Sequence, residues 1–280
     1  MTEAATPAPG LAARVRAELG LLLLALQFLT RVPLPAPLAA WTAFDAARQR
    51  ACARYFPFVG LLVGAWGAAV TALAHGLWPL PVALVLGLAA TLLFTGALHE
   101  DGWADTCDGL GGGATREQAL TIMKDSRLGS YGVLGLVVAL NLKLAALWGL
   151  AATGLPALFA VSVWAHGVSR FAAVATMLRL PYAGDLGRAK VPDMGGGGAA
   201  VAIVLPGGLS LIGAAALLQA WCGLAPLLAG AAATAATTLV VQAWLRRRLG
   251  GQTGDTLGAV QQLGEIAALL GALALQRTAS

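Results

Sequence analysis

Seven apolar stretches, each long enough to cross a lipid bilayer, constrain the fold of this chain more than any other feature. A transmembrane α-helix needs about 20 apolar residues. Six such stretches lie near residues 55–75, 81–100, 131–151, 157–178, 199–219 and 225–245, and a further helix near 257–276 is also long enough. Only 11% of the residues are charged, whereas a soluble domain carries about 25%. We therefore predict an all-α, polytopic transmembrane helical bundle of six to seven spans, and exclude a soluble or disordered chain.

The N-terminal 30 residues contain a shorter apolar run. This run, residues 19–30, follows the charged segment AARVRAE. Its length favours an interfacial or re-entrant helix over a full span. No change in composition marks a domain boundary, so we predict a single integral-membrane domain over residues 1–280. The three scattered cysteines indicate neither a disulfide framework nor a zinc site.

The loops between the predicted spans fall into two alternating kinds. Segments 31–54, 101–130, 179–197 and 246–256 are charged and rich in arginine, whereas 76–80, 152–156 and 220–224 hold no Lys, Arg, Asp or Glu. Because positively charged loops stay in the cytoplasm, the charged set is predicted to be cytoplasmic. All polar chemistry of the chain is then expected on that face.

An acidic motif, HEDGWADTCDGLGGG at 99–113, follows one of the most apolar runs. On a helix, Asp101, Asp105 and Asp108 stand at i, i+4 and i+7 and share one face. Their mutual repulsion is unfavourable unless a divalent cation offsets it, and carboxylates suit Mg²⁺. The sequence therefore predicts a metal site, with a solvated acidic helix end as the alternative. Glu100 points about 100° away, as an outer-shell contact or an ordinary acid.

A second polar cluster follows the acidic motif. Lys124, Asp125 and Arg127 lie within four residues of one another. Two cations around an acid near a metal suit a phosphate ligand, with Asp125 as a further metal ligand. We assign the role of general base to Asp108 or Asp125. The alternative for this cluster is a surface salt bridge.

Polar residues also occur at the start of the last apolar helix. Glu265 lies inside it, and an ionisable residue in a membrane helix is a functional candidate by default. Its alternative is a packing hydrogen bond with Gln261, its i+4 partner. Asp255 either belongs to the N-terminal cap of that helix or contacts substrate.

Three basic residues remain near or within the spans. Arg170 lies about two turns from the predicted cytoplasmic end of its helix, which favours contact with a substrate phosphate over snorkelling to the interface. Arg31 is predicted to contact either a phosphate or a lipid headgroup. Lys143 lies deeper in its span and receives no specific role.

Four segments together resemble the cobalamin synthase family, the adenosylcobinamide-GDP ribazoletransferases. The longest is HEDGWADTCDGLGGGATREQALTIMKDSRLGSYG, and the others are LQFLTRVPLP at 26–35, SRFAAVATM with LPYAGDLG at 169–187, and GGQTGDTLGAVQQLGE at 250–265. They follow the family's order across most of the chain. One departure is Glu100, where the family often has an apolar residue.

The resemblance implies a reaction, a metal and a location. The family joins adenosylcobinamide-GDP to α-ribazole or its 5′-phosphate, releases GMP and requires Mg²⁺. We expect a ribazole 5′-oxygen to attack the phosphorus on the cobinamide side. The expected setting is the bacterial inner membrane, with the active site facing the cytoplasm, lipid as the surroundings and no nucleic-acid partner. The sequence leaves the oligomeric state open.

Other functional classes fit the residues less well. A CDP-alcohol phosphotransferase of lipid synthesis also uses an aspartate motif, but the spacing Asp101-x3-Asp105-x2-Asp108 departs from its pattern. An ion-coupled transporter is expected to carry its acids at mid-membrane within repeats, and no repeat is visible. A metal-dependent prenyltransferase needs a second aspartate-rich motif, which PYAGDLGRAK does not supply.

Overall fold

A computed structural model describes residues 10–42, 45–184 and 197–278. Within these ranges the chain is helical, and the one β-type contact is an isolated bridge between Tyr182 and Gln252. The helices are α1 Leu11–Leu29, α2 Ala36–Ala39, α3 Ala46–Cys52, α4 Phe56–His75, α5 Leu80–Thr95, α6 Leu98–Gly112, α7 Arg116–Met123, α8 Ser130–Ala151, α9 Leu155–Arg179, α10 Gly197–Cys222, α11 Leu224–Leu249 and α12 Gly254–Thr278. The end of the LPYAGDLG segment and the basic residues Arg188 and Lys190 lie outside the described residues.

The prediction of an all-α bundle with six to seven spans is confirmed. In the described ranges, six helical segments are long and apolar enough to cross a membrane, and the bent pair α5–α6 makes a seventh if it counts as one span. Helix α1 is not among them. It carries Arg14, Arg16 and Glu18 in its first half and remains largely exposed there, as expected of an interfacial helix.

The predicted span at 81–100 has the wrong C-terminal boundary. Helix α5 ends at Thr95, and α6 begins at Leu98 after a bend of 89°. Gly96 and Ala97 adopt left-handed backbone angles, with φ of 67° and 54°. A non-glycine residue rarely adopts this conformation. A hydropathy pattern contains no information about backbone angles and therefore does not reveal the break.

Arg31 supports this break from the segment after α1. Its backbone N–H donates to the carbonyl oxygen of Phe94 at 2.8 Å. Its side chain fills the space where a Cβ on Gly96 would lie. The family-like segment at 26–35 therefore contacts the turn that redirects the chain into the acidic helix.

Helix α9 is the central element of the bundle. Most of its residues are buried, and its apolar side chains join those of α8, α11 and α12 in the largest core cluster. Close backbone contact makes this packing possible, because a Cβ on Gly64 of α4 would lie 2.7 Å from the Cα of Val163. Small residues at such contacts are the usual means by which membrane helices approach one another.

Helix α6 packs along the start of α12. A Cβ on Gly102 would lie 2.7 Å from the carbonyl oxygen of Asp255, and one on Gly258 would lie 3.1 Å from that of His99. The two glycines therefore let the backbones meet. This contact brings the acidic motif beside the first turn of the last helix, although the two segments are about 150 residues apart in the sequence.

Candidate active site

A cavity of about 200 Å³ lies between α1, α3, α4, α6, α9 and α12. Three predicted site residues from separate segments line it, namely Asp101, Arg170 and Asp255, together with His99. Asp101 is exposed, whereas Arg170 is buried. The fold thus brings the acidic motif, the SRFAA segment and the start of α12 to one place.

Arg170 is the most constrained charge in this cavity. Only 2% of it is exposed, and one guanidinium nitrogen, Nη1, donates to the carbonyl oxygen of His166 at 3.0 Å. Its Nε is buried without a hydrogen-bond partner. An unpaired donor on a buried cation costs free energy, so a guanidinium that lines a cavity in this state suits an anionic ligand.

Glu265 lies at the centre of a buried polar network behind the cavity. Its carboxylate lies 2.8 Å from Lys143 Nζ and 3.2 Å from His166 Nδ1. Gln261 Nε2 donates to it at 2.7 Å, so the alternative predicted for Glu265, a packing hydrogen bond with Gln261, is present. Glu265 does not line the cavity that holds Asp101 and Asp255.

The same network reaches the acidic helix through Glu100. Its Oε1 lies 3.6 Å from Lys143 Nζ and accepts from Gln262 Nε2 at 2.8 Å. Lys143 is 2% exposed and therefore bridges two carboxylates from α6 and α12. Sequence reasoning missed this role for Lys143. The available signal was the charge of Lys143 itself, because a lysine deep in a membrane span needs an acidic partner within reach.

Asp108 joins the acidic helix to the start of α8. Its two carboxylate oxygens accept the backbone N–H groups of Gly129 and Gly132, at 2.7 and 2.8 Å. Both amides belong to the N-terminal turn of α8, where N–H groups lack intrahelical partners and a negative charge is favourable. Asp108 is buried, so this carboxylate acts as a cap on a neighbouring helix.

The described residues contain no group of three His, Cys, Asp or Glu side chains placed to hold a metal ion. The four-carboxylate set predicted for Mg²⁺, with Asp101, Asp105, Asp108 and Asp125, is therefore not preformed. Asp101 and Asp105 stand one turn apart on α6. Since Mg²⁺ is usually held by one or two carboxylates together with substrate phosphates, these two residues fit a site that substrate completes.

Lys124, Asp125 and Arg127 lie on the surface turn between α7 and α8. Arg127 pairs with Asp125 at 2.6 Å, which is the salt bridge named as their alternative. The hydrogen bonds from Arg127 lower the pKa of Asp125 to about 2. Lys124 is exposed. Helix α7 before them starts with a capping box between Thr115 and Gln118.

Comparisons with known proteins place the chain in a family. Residues 21–273 match the family described as cobalamin-5-phosphate synthase. A protein of Leptothrix cholodnii named adenosylcobinamide-GDP ribazoletransferase is 49% identical over 92% of this chain and 96% of its own. Proteins with the same name from Albidiferax ferrireducens and Vibrio cholerae are 42% and 40% identical, over 89% and 91% of this chain and 95% and 94% of theirs. No solved structure matches.

Proposed function

This chain belongs to the cobalamin-5-phosphate synthase family, and we propose from that premise how its cavity performs the reaction. The activity is that of an adenosylcobinamide-GDP ribazoletransferase in the assembly of the cobalamin nucleotide loop. The single observation that carries the proposed site is Arg170, a buried cation with an unpaired Nε, which lines one cavity with Asp101 and Asp255.

The reaction replaces a phosphoanhydride bond with a phosphate ester bond. A ribazole hydroxyl oxygen bonds to the phosphorus that carries cobinamide, the bond from that phosphorus to the bridging oxygen breaks, and GMP leaves with the bridging oxygen. The family name specifies a product with a 5-phosphate. The expected 5′-oxygen therefore cannot be the nucleophile for a phosphorylated ribazole, and we assign a secondary ribose hydroxyl instead.

Arg170 is positioned to bind the diphosphate. A guanidinium pairs with phosphate oxygens through directed N–H donors, and Arg170 lines the cavity from α9. Asp101 and Asp105 would hold Mg²⁺ with phosphate oxygens as the remaining ligands. The ion would neutralise charge on the transferred phosphoryl group. Lys124 and Arg127, exposed on the turn before α8, add positive potential that attracts the anionic substrate.

The proton of the attacking hydroxyl needs an acceptor. Asp125 is a weak base because Arg127 lowers its pKa to about 2. Asp108 is engaged at both oxygens by the first turn of α8. We therefore move the role of base from these two residues to Asp255, which lines the cavity from the first turn of α12.

We propose that the reaction takes place on the cytoplasmic side of the bacterial inner membrane. The arginine-rich loops adjoin the ends of α9 and α11 and the starts of α8 and α12. The positive-inside rule assigns these loops to the cytoplasm. The cavity is formed by residues near those same helix ends. Nucleotide substrates then reach it without crossing the bilayer.

An assay of purified protein in lipid nanodiscs tests this function. We expect Mg²⁺-dependent formation of cobalamin or its 5′-phosphate, with one GMP released per product, from adenosylcobinamide-GDP and α-ribazole or its phosphate. CDP-diacylglycerol with an alcohol acceptor should give no product. Asp105→Ala should abolish product formation, and Glu117→Ala, an exposed acid on α7, is the matched control. Full activity of Asp105→Ala would contradict the proposed metal site.

A further inference from the structure

Both polar and apolar side chains line the cavity that contains Arg170. Its polar wall is formed by α6, α9 and α12, with His99, Asp101, Arg170 and Asp255. The rest of the lining, here called the apolar wall, is mostly apolar. It includes Phe28, Leu29, Phe56, Val174 and Met177, together with one further polar side chain, that of Gln49. A ligand that fits both walls has a charged or hydroxylated end and an apolar end.

The volume of the cavity limits what enters it. At about 200 Å³, it lies below the roughly 300 Å³ from which pockets for drug-sized ligands begin. A corrin macrocycle or a complete guanosine diphosphate does not fit in that space. A single flat base of two fused rings does.

Aromatic rings shape the apolar wall. Phe28 of α1 and Phe56 of α4 stack with centroids 5.5 Å apart and planes 6° from parallel. Both rings line the cavity, and an aromatic contact stabilises a bound ring beyond simple burial. The stack therefore favours an aromatic ligand over an acyl chain.

The two substrates differ in the base that they would place here. Guanine carries hydrogen-bonding groups around its edge, and an apolar wall would leave them unpaired at a cost in free energy. The benzimidazole base of α-ribazole is apolar along its outer edge. An acyl chain would match the apolar wall but would leave Arg170 and Asp101 without a polar ligand.

We propose that this cavity binds the benzimidazole base of α-ribazole, with its ribose directed toward Arg170, Asp101 and Asp255. This assignment rests on the proposed function and adds to it the location of the acceptor substrate. The corrinoid and the guanosine of the donor then lie outside the cavity, on the polar side. The attacking ribose hydroxyl and the phosphate meet at Arg170.

A cavity-filling variant tests the assignment by direct binding. Ala173 lines the cavity from α9, and Ala173→Leu replaces its methyl group with an isobutyl group. We expect the Kd for α-ribazole, measured without Mg²⁺ by equilibrium dialysis on protein in nanodiscs, to rise at least about 5-fold, as overpacking commonly costs. Ala175→Leu is the matched control, because it lies on the same helix outside the cavity lining, and it should bind α-ribazole like the wild type.

Kinetics distinguishes the two substrates. In Ala173→Leu the KM for α-ribazole should rise by a larger factor than the KM for adenosylcobinamide-GDP. A rise confined to the KM for adenosylcobinamide-GDP would assign the cavity to the donor and overturn the proposal. Unchanged α-ribazole binding in Ala173→Leu would overturn it as well. An inactive wild type that still binds α-ribazole would instead contradict the proposed function alone.

A second variant avoids added volume in the core. Phe28 is 37% exposed on α1, and Phe28→Leu keeps an apolar side chain but removes the ring. Loss of the aromatic ring should weaken α-ribazole binding roughly 2- to 10-fold. If Phe28→Leu binds α-ribazole as the wild type does, the stacked wall is not part of a base-binding site.

Discussion

At the scale of single residues, the same carboxylate pattern serves several purposes. The i, i+4, i+7 spacing predicts one shared role for Asp101, Asp105 and Asp108. In the structure Asp101 lines the cavity, whereas Asp108 caps the neighbouring helix α8. The spacing identifies the helix face but contains no information about which backbone amides approach it. That information depends on where α8 begins in space.

The capping role of Asp108 gives a stability prediction. Asp108→Asn keeps the shape but replaces one acceptor oxygen with a donor, so one N–H of the first turn of α8 loses its partner. We expect a loss of about 1–2 kcal/mol in the free energy of unfolding, seen as a lower thermal midpoint in detergent. Asp125→Asn, at the surface, should leave the midpoint unchanged. Equal midpoints for Asp108→Asn and the wild type would contradict the capping role.

At the scale of elements, the break between α5 and α6 decides where the acidic motif lies. The hydropathy pattern correctly locates the apolar run of α5, but the span predicted from it extends to residue 100. The left-handed Gly96 and Ala97 end the helix at Thr95. The bend directs α6 against α8 and α12 and lets Glu100 reach Lys143 in α8. A linear pattern of apolar residues does not encode such a bend.

The ion-pair network around Lys143 predicts that a second substitution can restore the stability lost when Lys143 is replaced. Lys143 and Arg170 carry two buried positive charges, and Glu100 and Glu265 carry two negative ones. Lys143→Met leaves an excess of buried negative charge, and breaking such a pair costs about 3–5 kcal/mol. We expect this variant to fold poorly, judged by its monodisperse yield and thermal midpoint.

The double variant Lys143→Met/Glu265→Gln restores the charge balance. It should therefore recover much of the midpoint lost by Lys143→Met, although each substitution alone is harmful. A double variant less stable than both single variants would show that the charges do not compensate one another. Glu117→Gln, exposed on α7, should not rescue Lys143→Met.

At the scale of the whole molecule, composition and loop charge predict the architecture well. The all-α bundle and the number of spans follow from apolar segment lengths, and the structure confirms both. Of the residues predicted for the site, Asp101, Arg170 and Asp255 line one cavity, and their roles stay predictions. The partners of Glu265 and Glu100 in α8 were not predictable, since they depend on the packing of helices far apart in sequence.

The cytoplasmic orientation gives a labelling prediction. In a background with Cys107 and Cys222 replaced by serine, Glu117→Cys lies on the charged side and Ala152→Cys on the uncharged side. A membrane-impermeant maleimide should label Ala152→Cys in intact spheroplasts, and Glu117→Cys only in inverted vesicles. The opposite pattern would place the active site on the outer face and contradict the proposed localisation.

The most direct test of the central claim, that the Arg170 cavity is the reaction site, is the kcat/KM for cobalamin formation in Arg170→Gln. Loss of a buried donor that stabilises developing phosphate charge should lower it by at least about 100-fold. Arg179→Gln, at the exposed end of the same helix, should stay within about twofold of the wild type. Arg170→Gln protein that retains wild-type kcat/KM would contradict the account.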